Sequence, residues 1–183
     1  MSIKISILGH SGAGKSTLIT RFAKGEFKEL DDEKREFHIT TNRGIVSFKI
    51  NYQTKENIDN NILRESNGII IIFDVTKATS FNEVCYYVQY AMEVCPGKPI
   101  VLLANKYEAN IEKKVSHTQT LRLLQKCRNS GCNIKHYKIS CLNNFNIEKP
   151  WIYFAKQHFN DDNTHYVEGI PLIPPEVTVL PGI

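Results

Sequence analysis

Apolar residues fall in two alternating rhythms along this chain: short dense runs, and longer stretches with helical spacing. Ile3-Lys4-Ile5-Ser6-Ile7-Leu8 is short and β-branched and reads as a buried strand. Residues 16–24 follow, with Leu18, Ile19 and Phe22 at helical spacing, and Lys24-Gly25-Glu26-Phe27 gives a glycine exit. The dense charge run of residues 30–36 reads as a solvated loop. Phe37-His38-Ile39-Thr40-Thr41 and Ile45-Val46-Ser47-Phe48-Lys49-Ile50 flank the tight turn Asn42-Arg43-Gly44, which predicts a β-hairpin. Residues 51–67 are polar and rich in Asn, and no period assigns them. Residues 69–75 and 100–104 are continuous apolar runs, the pattern of strands buried on both faces. Ser80-Phe81-Asn82-Glu83 reads as a capping box opening a helix to about Cys95, which Pro96-Gly97-Lys98-Pro99 ends. Ser116-His117-Thr118-Gln119 is a second box, with a helix through Cys127 and a stop at Gly131. Residues 134–139 read as a strand and 148–159 as a last helix with Pro150 in its first turn.

Strands alternating with helices predict a three-layer α/β fold, a mostly parallel sheet of about six strands with helices on both faces. Residues 1–160 then form one domain. Residues 161–183, with three prolines in Ile170-Pro171-Leu172-Ile173-Pro174-Pro175-Glu176-Val177, form an extended arm.

Between the first strand and helix lies Gly9-His10-Ser11-Gly12-Ala13-Gly14-Lys15-Ser16-Thr17. Strand, G-x-x-x-x-G-K-S, helix is the P-loop in its required context. Gly9 and Gly14 allow the backbone to turn successive N–H groups onto phosphate oxygens. Lys15 adds a point charge for the β- and γ-phosphates, the Ser16 hydroxyl is placed for Mg²⁺, and the helix N-terminus favours anions. A nucleoside di- or triphosphate is the expected ligand. A ligand-free glycine turn is the bland alternative.

Composition narrows the setting. Hydrophobic residues at 42% and charged residues at 23% exclude wholesale disorder, and scattered lysines with a net charge of +4 argue against nucleic acid as a direct partner. Five cysteines, odd in number and without a C-x-x-C pair, read as reduced thiols of an intracellular protein. No signal peptide, transmembrane run or lipidation box is legible, so a soluble protein without a membrane anchor is expected. The histidines show no metal-ligand spacing, so no metal beyond Mg²⁺ is expected.

Asn105-Lys106-Tyr107-Glu108 follows the strand at 100–104, at the edge where α/β sheets gather ligands, and Ser140-Cys141-Leu142 follows the next strand in the same way. With the P-loop, these resemble the N-K-x-D and S-A-K motifs of the Ras-like small GTPases. The resemblance implies that Asn105 and Lys106 hold base and P-loop, and that Glu108 stands for the Asp that accepts hydrogen bonds from guanine. It implies GTP or GDP with Mg²⁺ as cofactors, bound by Ser11, Gly12, Ala13, Gly14, Lys15, Ser16, Thr17, Asn105, Lys106, Glu108, Ser140, Cys141 and Leu142. Asn42-Arg43-Gly44, Phe73-Asp74-Val75-Thr76, Asn144-Phe145-Asn146-Ile147-Glu148-Lys149-Pro150 and Ile173-Pro174-Pro175-Glu176-Val177 are similar to the Ran branch of that superfamily. That likeness implies a monomer of nucleus and cytoplasm, unlipidated, serving nucleocytoplasmic transport, with nuclear transport receptors as partners.

The departures concern chemistry. The family's D-x-x-G motif followed by Gln falls, without gaps, on Tyr52-Gln53-Thr54-Lys55-Glu56. Tyr52 then replaces the Mg²⁺-linked Asp, Lys55 the γ-phosphate-sensing Gly, and Glu56 the water-orienting Gln. The first switch segment is shorter than in Ran, no Thr lies between Phe27 and His38, and Ran's acidic tail is absent. Hydrolysis and switching are therefore expected to be weak or lost. Glu108 keeps two acceptor oxygens on a longer stem, Cys141 keeps its backbone N–H, and Leu142 replaces a Lys that covers the base. Two readings compete with an active GTPase: a Ran-fold interaction module that does not hydrolyse, and a P-loop ATPase or kinase in which Asp74 ends a Walker B strand.

Overall fold

The computed structural model describes residues 2–24, 36–109 and 113–168. The glycine exit at Gly25, the charge run before Glu36 and the proline-rich stretch 170–177 lie outside the described residues.

The chain runs β1 (Ser2–Leu8), α1 (Lys15–Lys24), β2 (Glu36–Thr41), β3 (Gly44–Gln53), a 3₁₀ turn (Lys55–Asn57), α2 (Asn60–Glu65), β4 (Gly68–Asp74), α3 (Ala78–Asn82), α4 (Val84–Val94), β5 (Ile100–Asn105), α5 (His117–Asn129), β6 (Ile134–Lys138), α6 (Lys149–Phe159) and β7 (Tyr166–Glu168). The sheet order is β6-β5-β4-β1-β3-β2-β7. β1, β3, β4, β5 and β6 pair in parallel, while β2 pairs antiparallel with both β3 and β7.

The period of two in the strands divides the core in two. Ile5, Ile7, Ile70, Ile72, Val101 and Leu103 face one side, where Leu18, Ile19 and Phe22 of α1 and Trp151 and Phe154 of α6 cover them. Leu8, Ile69, Ile71, Phe73, Ile100 and Leu102 face the other, under Val84, Tyr87 and Val88 of α4 and Leu123 and Leu124 of α5. Both faces of β4 and β5 are fully covered, which is why these strands read as unbroken apolar runs. Trp151 is the pivot of the first layer, with its ring centroid 4.9 Å from Phe37 and 5.6 Å from both Phe22 and Phe48.

Three features differ from the sequence reading. The sheet has seven strands, because residues 161–168 return to the hairpin: β7 pairs Tyr166 with Thr41, and Arg43 bonds Asp161 at 2.5 Å. A three-residue strand is too short to show a period. The expected box at Ser80 opens no helix. α3 begins at Ala78, and the Ser80 hydroxyl instead accepts the Asp74 N–H at 3.0 Å, so a tertiary partner displaces the local cap. The unassigned polar piece holds the end of β3, the 3₁₀ turn and α2, whose Asp59 cap accepts from the N–H of Asn61 and Ile62. The second box is formed as expected, with Ser116 N–H on Gln119 Oε1 at 2.7 Å and Gln119 N–H on Ser116 Oγ at 3.2 Å.

Gly68 opens β4 where α6 crosses it, and a Cβ added there would sit 2.2 Å from Phe154 Cε1. Gly68→Ala is expected to lower the unfolding free energy by about 1–3 kcal/mol through overpacking, read from the urea midpoint. A midpoint unchanged from the native protein would show that α6 yields there freely.

Candidate functional site

In this sheet the connections leaving β1 and β3 run to opposite sides of β1, so a crevice opens at the carboxyl ends of the central strands. Two adjoining cavities occupy it. One, of about 860 Å³, is lined by Ser11, Gly12, Gly14, Lys15, Ser16 and Thr17 on one wall and by Asn51, Tyr52, Gln53, Thr54, Asn57, Asp59 and Ile62 on the other. The other, of about 330 Å³, is lined by Asn105, Lys106, Glu108, Cys141 and Leu142 and shares Gly12, Gly14 and Thr17 with the first. Three stretches far apart in the sequence thus meet along one trough.

The P-loop is held by what surrounds it. Lys15, at the start of α1, folds back so that Nζ donates to Gly9 O at 2.7 Å and His10 O at 3.0 Å. Burial pushes the Lys15 ammonium below its ordinary range, and the Glu56 and Glu83 carboxylates partly restore it. Asn105, at the end of β5, joins two loops: Nδ2 donates to Ala13 O at 2.9 Å, and Oδ1 accepts the Cys141 N–H at 3.2 Å. Gly14 lies at φ +101°, and a Cβ on it would fall 2.2 Å from Asn105 Nδ2, so both conformation and space require glycine. Ala13 is buried and contributes its carbonyl to this junction, not a lining surface.

Lys106 sits in the left-handed region at φ +62° and its Nζ lies 2.6 Å from Asp74 Oδ2. Asp74 is fully buried, and its other oxygen accepts the Thr76 N–H at 2.9 Å and the Thr76 hydroxyl at 2.7 Å. Burial raises its carboxyl, but the Lys106 and Thr76 donors outweigh that and hold it below the usual carboxylate range. Both oxygens of Asp74 are therefore committed to a turn, and the residue lines neither cavity. A Walker B role for it finds no support in this geometry.

Glu108 reaches the smaller cavity with Oε2 buried and without a hydrogen-bond partner. A buried carboxylate oxygen is costly to leave unpaired. Cys141 is buried beside it, and burial together with the Glu108 charge pushes its thiol up to about 12. Leu142 is exposed on the cavity's rim. Ser140 lies beneath, its hydroxyl accepting the Asn143 N–H at 3.0 Å, and it shapes the loop instead of lining the cavity.

Several residues escaped the sequence reading. Arg21, on α1, carried no signal in the sequence; it is 3% exposed and its Nε donates to Asn144 Oδ1 at 2.5 Å, pinning the loop after β6. Asn57 and Asp59 line the larger cavity from the stretch that had no period. That stretch is fastened to α4: Tyr90 OH lies 2.6 Å from Asn60 Oδ1, and Lys55 Nζ lies 4.6 Å from the Tyr86 ring centroid. Tyr86 and Tyr90, which stack on each other on α4, are thus engaged with the 55–60 stretch. Glu56 is exposed near Lys15 and His10, whose charges it feels.

All five cysteines are free thiols, four of them buried. No helix among the described residues is long and apolar enough to cross a membrane, and no cluster of His, Cys, Asp or Glu there could hold a metal by itself. A family model described as the Ras family matches residues 4–160. The chain belongs to the Ras family, and this stretch is a nucleotide-binding domain of the small-GTPase type.

Proposed function

We propose that this chain is a Ran-type guanine-nucleotide-binding protein that holds GTP or GDP with Mg²⁺ across the two cavities and whose hydrolysis and switching are impaired. The observation that carries the base assignment is Glu108 on the wall of the smaller cavity, beside Asn105 and Lys106. Guanine offers two donors on one edge, the N1–H and the exocyclic amine, where adenine presents an acceptor at N1. Phosphates would lie against the backbone from Gly12 to Ser16 with Lys15 beside them, and Thr17 sits between the two halves of the trough.

The donor set suits Mg²⁺ as well. Ser16 lines the larger cavity as a hydroxyl ligand, and Mg²⁺ commonly takes only one or two protein ligands beside phosphate oxygens and water. When bound, the ion neutralises phosphate charge. What the chain itself supplies is a cradle, a cation and a base reader; the wall opposite the P-loop carries Tyr52, which with Lys55 takes the place of the family's Asp and Gly when the motif is aligned without gaps. Nuclear transport receptors as partners, and a place in nucleus and cytoplasm, rest on the likeness of residues 42–44, 73–76, 144–150 and 173–177 to Ran. Equal receptor capture by the GDP and GTP forms is the expected mark of a lost switch.

Competition between GDP and ADP tests the base reading. The native protein is expected to prefer GDP by about tenfold or more, and Glu108→Ala to lose about 10–100-fold in GDP affinity with little change for ADP, as hydrogen bonds to a charged group are worth about 1.5–3 kcal/mol. ADP bound as tightly as GDP by the native protein would overturn the assignment.

A further inference from the structure

The larger cavity holds a carboxylate at a position where the family's metal motif does not place one. Among the described residues that line it, Asp59 is the single Asp or Glu, in the same cavity as Lys15, Ser16 and Thr17. It lies beyond Tyr52, the residue that takes the place of the family's Asp when the motif is aligned without gaps.

Asp59 is held from several directions. Its N–H donates to Gln53 Oε1 at 3.3 Å, and Gln53 is buried at the end of β3. Its Oδ1 accepts the N–H of Asn61 at 2.8 Å and that of Ile62 at 3.4 Å, which caps α2. The helix is seated in turn by buried Leu63 and by the 2.6 Å contact of Asn60 with Tyr90. Both cap bonds fall on one oxygen, and Oδ2 accepts no hydrogen bond among the described residues. A carboxylate positioned in this way by its supporting contacts can meet a cation with little reorganisation. The neutral oxygens nearby are poorer candidates. Asn57 Oδ1 already accepts the Thr54 N–H at 2.6 Å and the Thr54 hydroxyl at 3.1 Å. Mg²⁺ characteristically takes one or two carboxylates beside phosphate oxygens and water.

We propose that Asp59 is the carboxylate partner of the Mg²⁺ ion at Ser16, meeting the ion or its water shell in place of the family's Asp. This rests on the reading of the trough as a nucleotide–Mg²⁺ site. The contact needs no third phosphate, so it is made alike with GDP and with GTP. A carboxylate does not replace the water-orienting amide of the lost Gln, so hydrolysis stays slow.

Charge gives Asp59 a signature that a purely structural role lacks. With the ion bound, its carboxylate attracts the ion; without the ion, it repels the phosphates. Asp59→Asn removes the charge and keeps the cap, because Asn and Asp are about equally good N-caps. The affinity for GDP, or for ADP if the native protein prefers it, is measured in Mg²⁺ and in EDTA for the native protein, D59N and E65Q. Glu65 ends the same helix but does not line this cavity. In the native protein Mg²⁺ is expected to tighten binding. D59N is expected to lose about 10–100-fold in Mg²⁺, the usual cost of removing a group that supports a bound metal, yet to bind at least as tightly as the native protein in EDTA. E65Q should match the native protein within about twofold in both conditions, since its exposed pair with Lys4 contributes little. The proposal fails if Mg²⁺ tightens binding as much in D59N as in the native protein, or has no effect on the native protein. It fails too if D59N weakens binding equally with and without Mg²⁺, the mark of a structural role. A native protein that binds neither GDP nor ADP would overturn the nucleotide reading itself, and this inference with it.

Discussion

Replacing Asn105 by Ala should lower the unfolding free energy by about 2–5 kcal/mol and weaken GDP binding by about a hundredfold or more. The reasoning starts from what the side chain leaves behind. Its amide joins Ala13 O to the Cys141 N–H inside a site where it is itself 2% exposed. Truncation strands a carbonyl and an N–H, and each buried unpaired group costs about 1–3 kcal/mol. It also removes the side chain that a Cβ at position 14 would strike, so the P-loop loses both its tether and its stop. The phosphate and base halves of the trough would then set their positions separately, and ligand binding must restore the alignment. Asn105→Asp separates these effects. It keeps an acceptor for Cys141 but turns a second oxygen onto Ala13 O, so the P-loop should suffer at least as much as in the Ala variant. Equilibrium urea unfolding and GDP titration read the two quantities. A stability within about 0.5 kcal/mol of the native protein, with GDP affinity intact, would mean that backbone contacts alone position the loops.

The same junction shows what a sequence can and cannot reveal. Gly14, Lys15 and Asn105 were legible because each carries a chemical requirement that few other residues meet: close approach, a reaching cation, and a donor with an acceptor on one amide. The strands were legible where burial is two-sided, as in β4 and β5, since nothing polar interrupts them. Legibility ended where a partner lies far away in the chain. Arg21 finds Asn144 across 123 positions, and Ser80 gives up a local cap for Asp74. Asp74 itself was ambiguous in sequence, an acid ending an apolar strand. Only the contacts to Lys106 and Thr76 show how its oxygens are used. The stretch after β3 hid its order because a 3₁₀ turn and a six-residue helix are too short for any period to show.

That stretch governs the second large effect. Single-turnover GTP hydrolysis is expected to run at least about a hundredfold slower than in a Ras-family protein that keeps D-x-x-G and Gln, since loss of one preorganised group typically costs about 10²–10³ in rate. Three observations point the same way. Gln53, which lines the larger cavity, is buried, and its Oε1 accepts the Asp59 N–H at 3.3 Å. Glu56, aligned with the family's Gln, carries a carboxyl that the Thr54 side chain, among other contacts, holds below its usual range. At neutral pH it therefore adds negative charge near Lys15. That charge repels a γ-phosphate more than a β-phosphate, so GDP should bind at least as tightly as GTP. Glu56→Gln should then raise GTP affinity relative to GDP by a few-fold, an effect that fades with added salt because the group is exposed. It should not restore hydrolysis, because without gaps Tyr52 and Lys55 align with the Mg²⁺-linked Asp and the sensing Gly. Finally, the contacts of Tyr90 with Asn60 and of Lys55 with Tyr86 fasten the segment without reference to a third phosphate. A switch needs an element with two arrangements that the ligand can bias, and these contacts would favour the same arrangement whichever nucleotide is bound. Amide exchange across residues 55–65 should accordingly be the same with GDP and with a non-hydrolysable GTP analogue. A turnover rate matching an intact family member, or protection there that appears only with the triphosphate, would show that these residues had rebuilt a working switch from different parts.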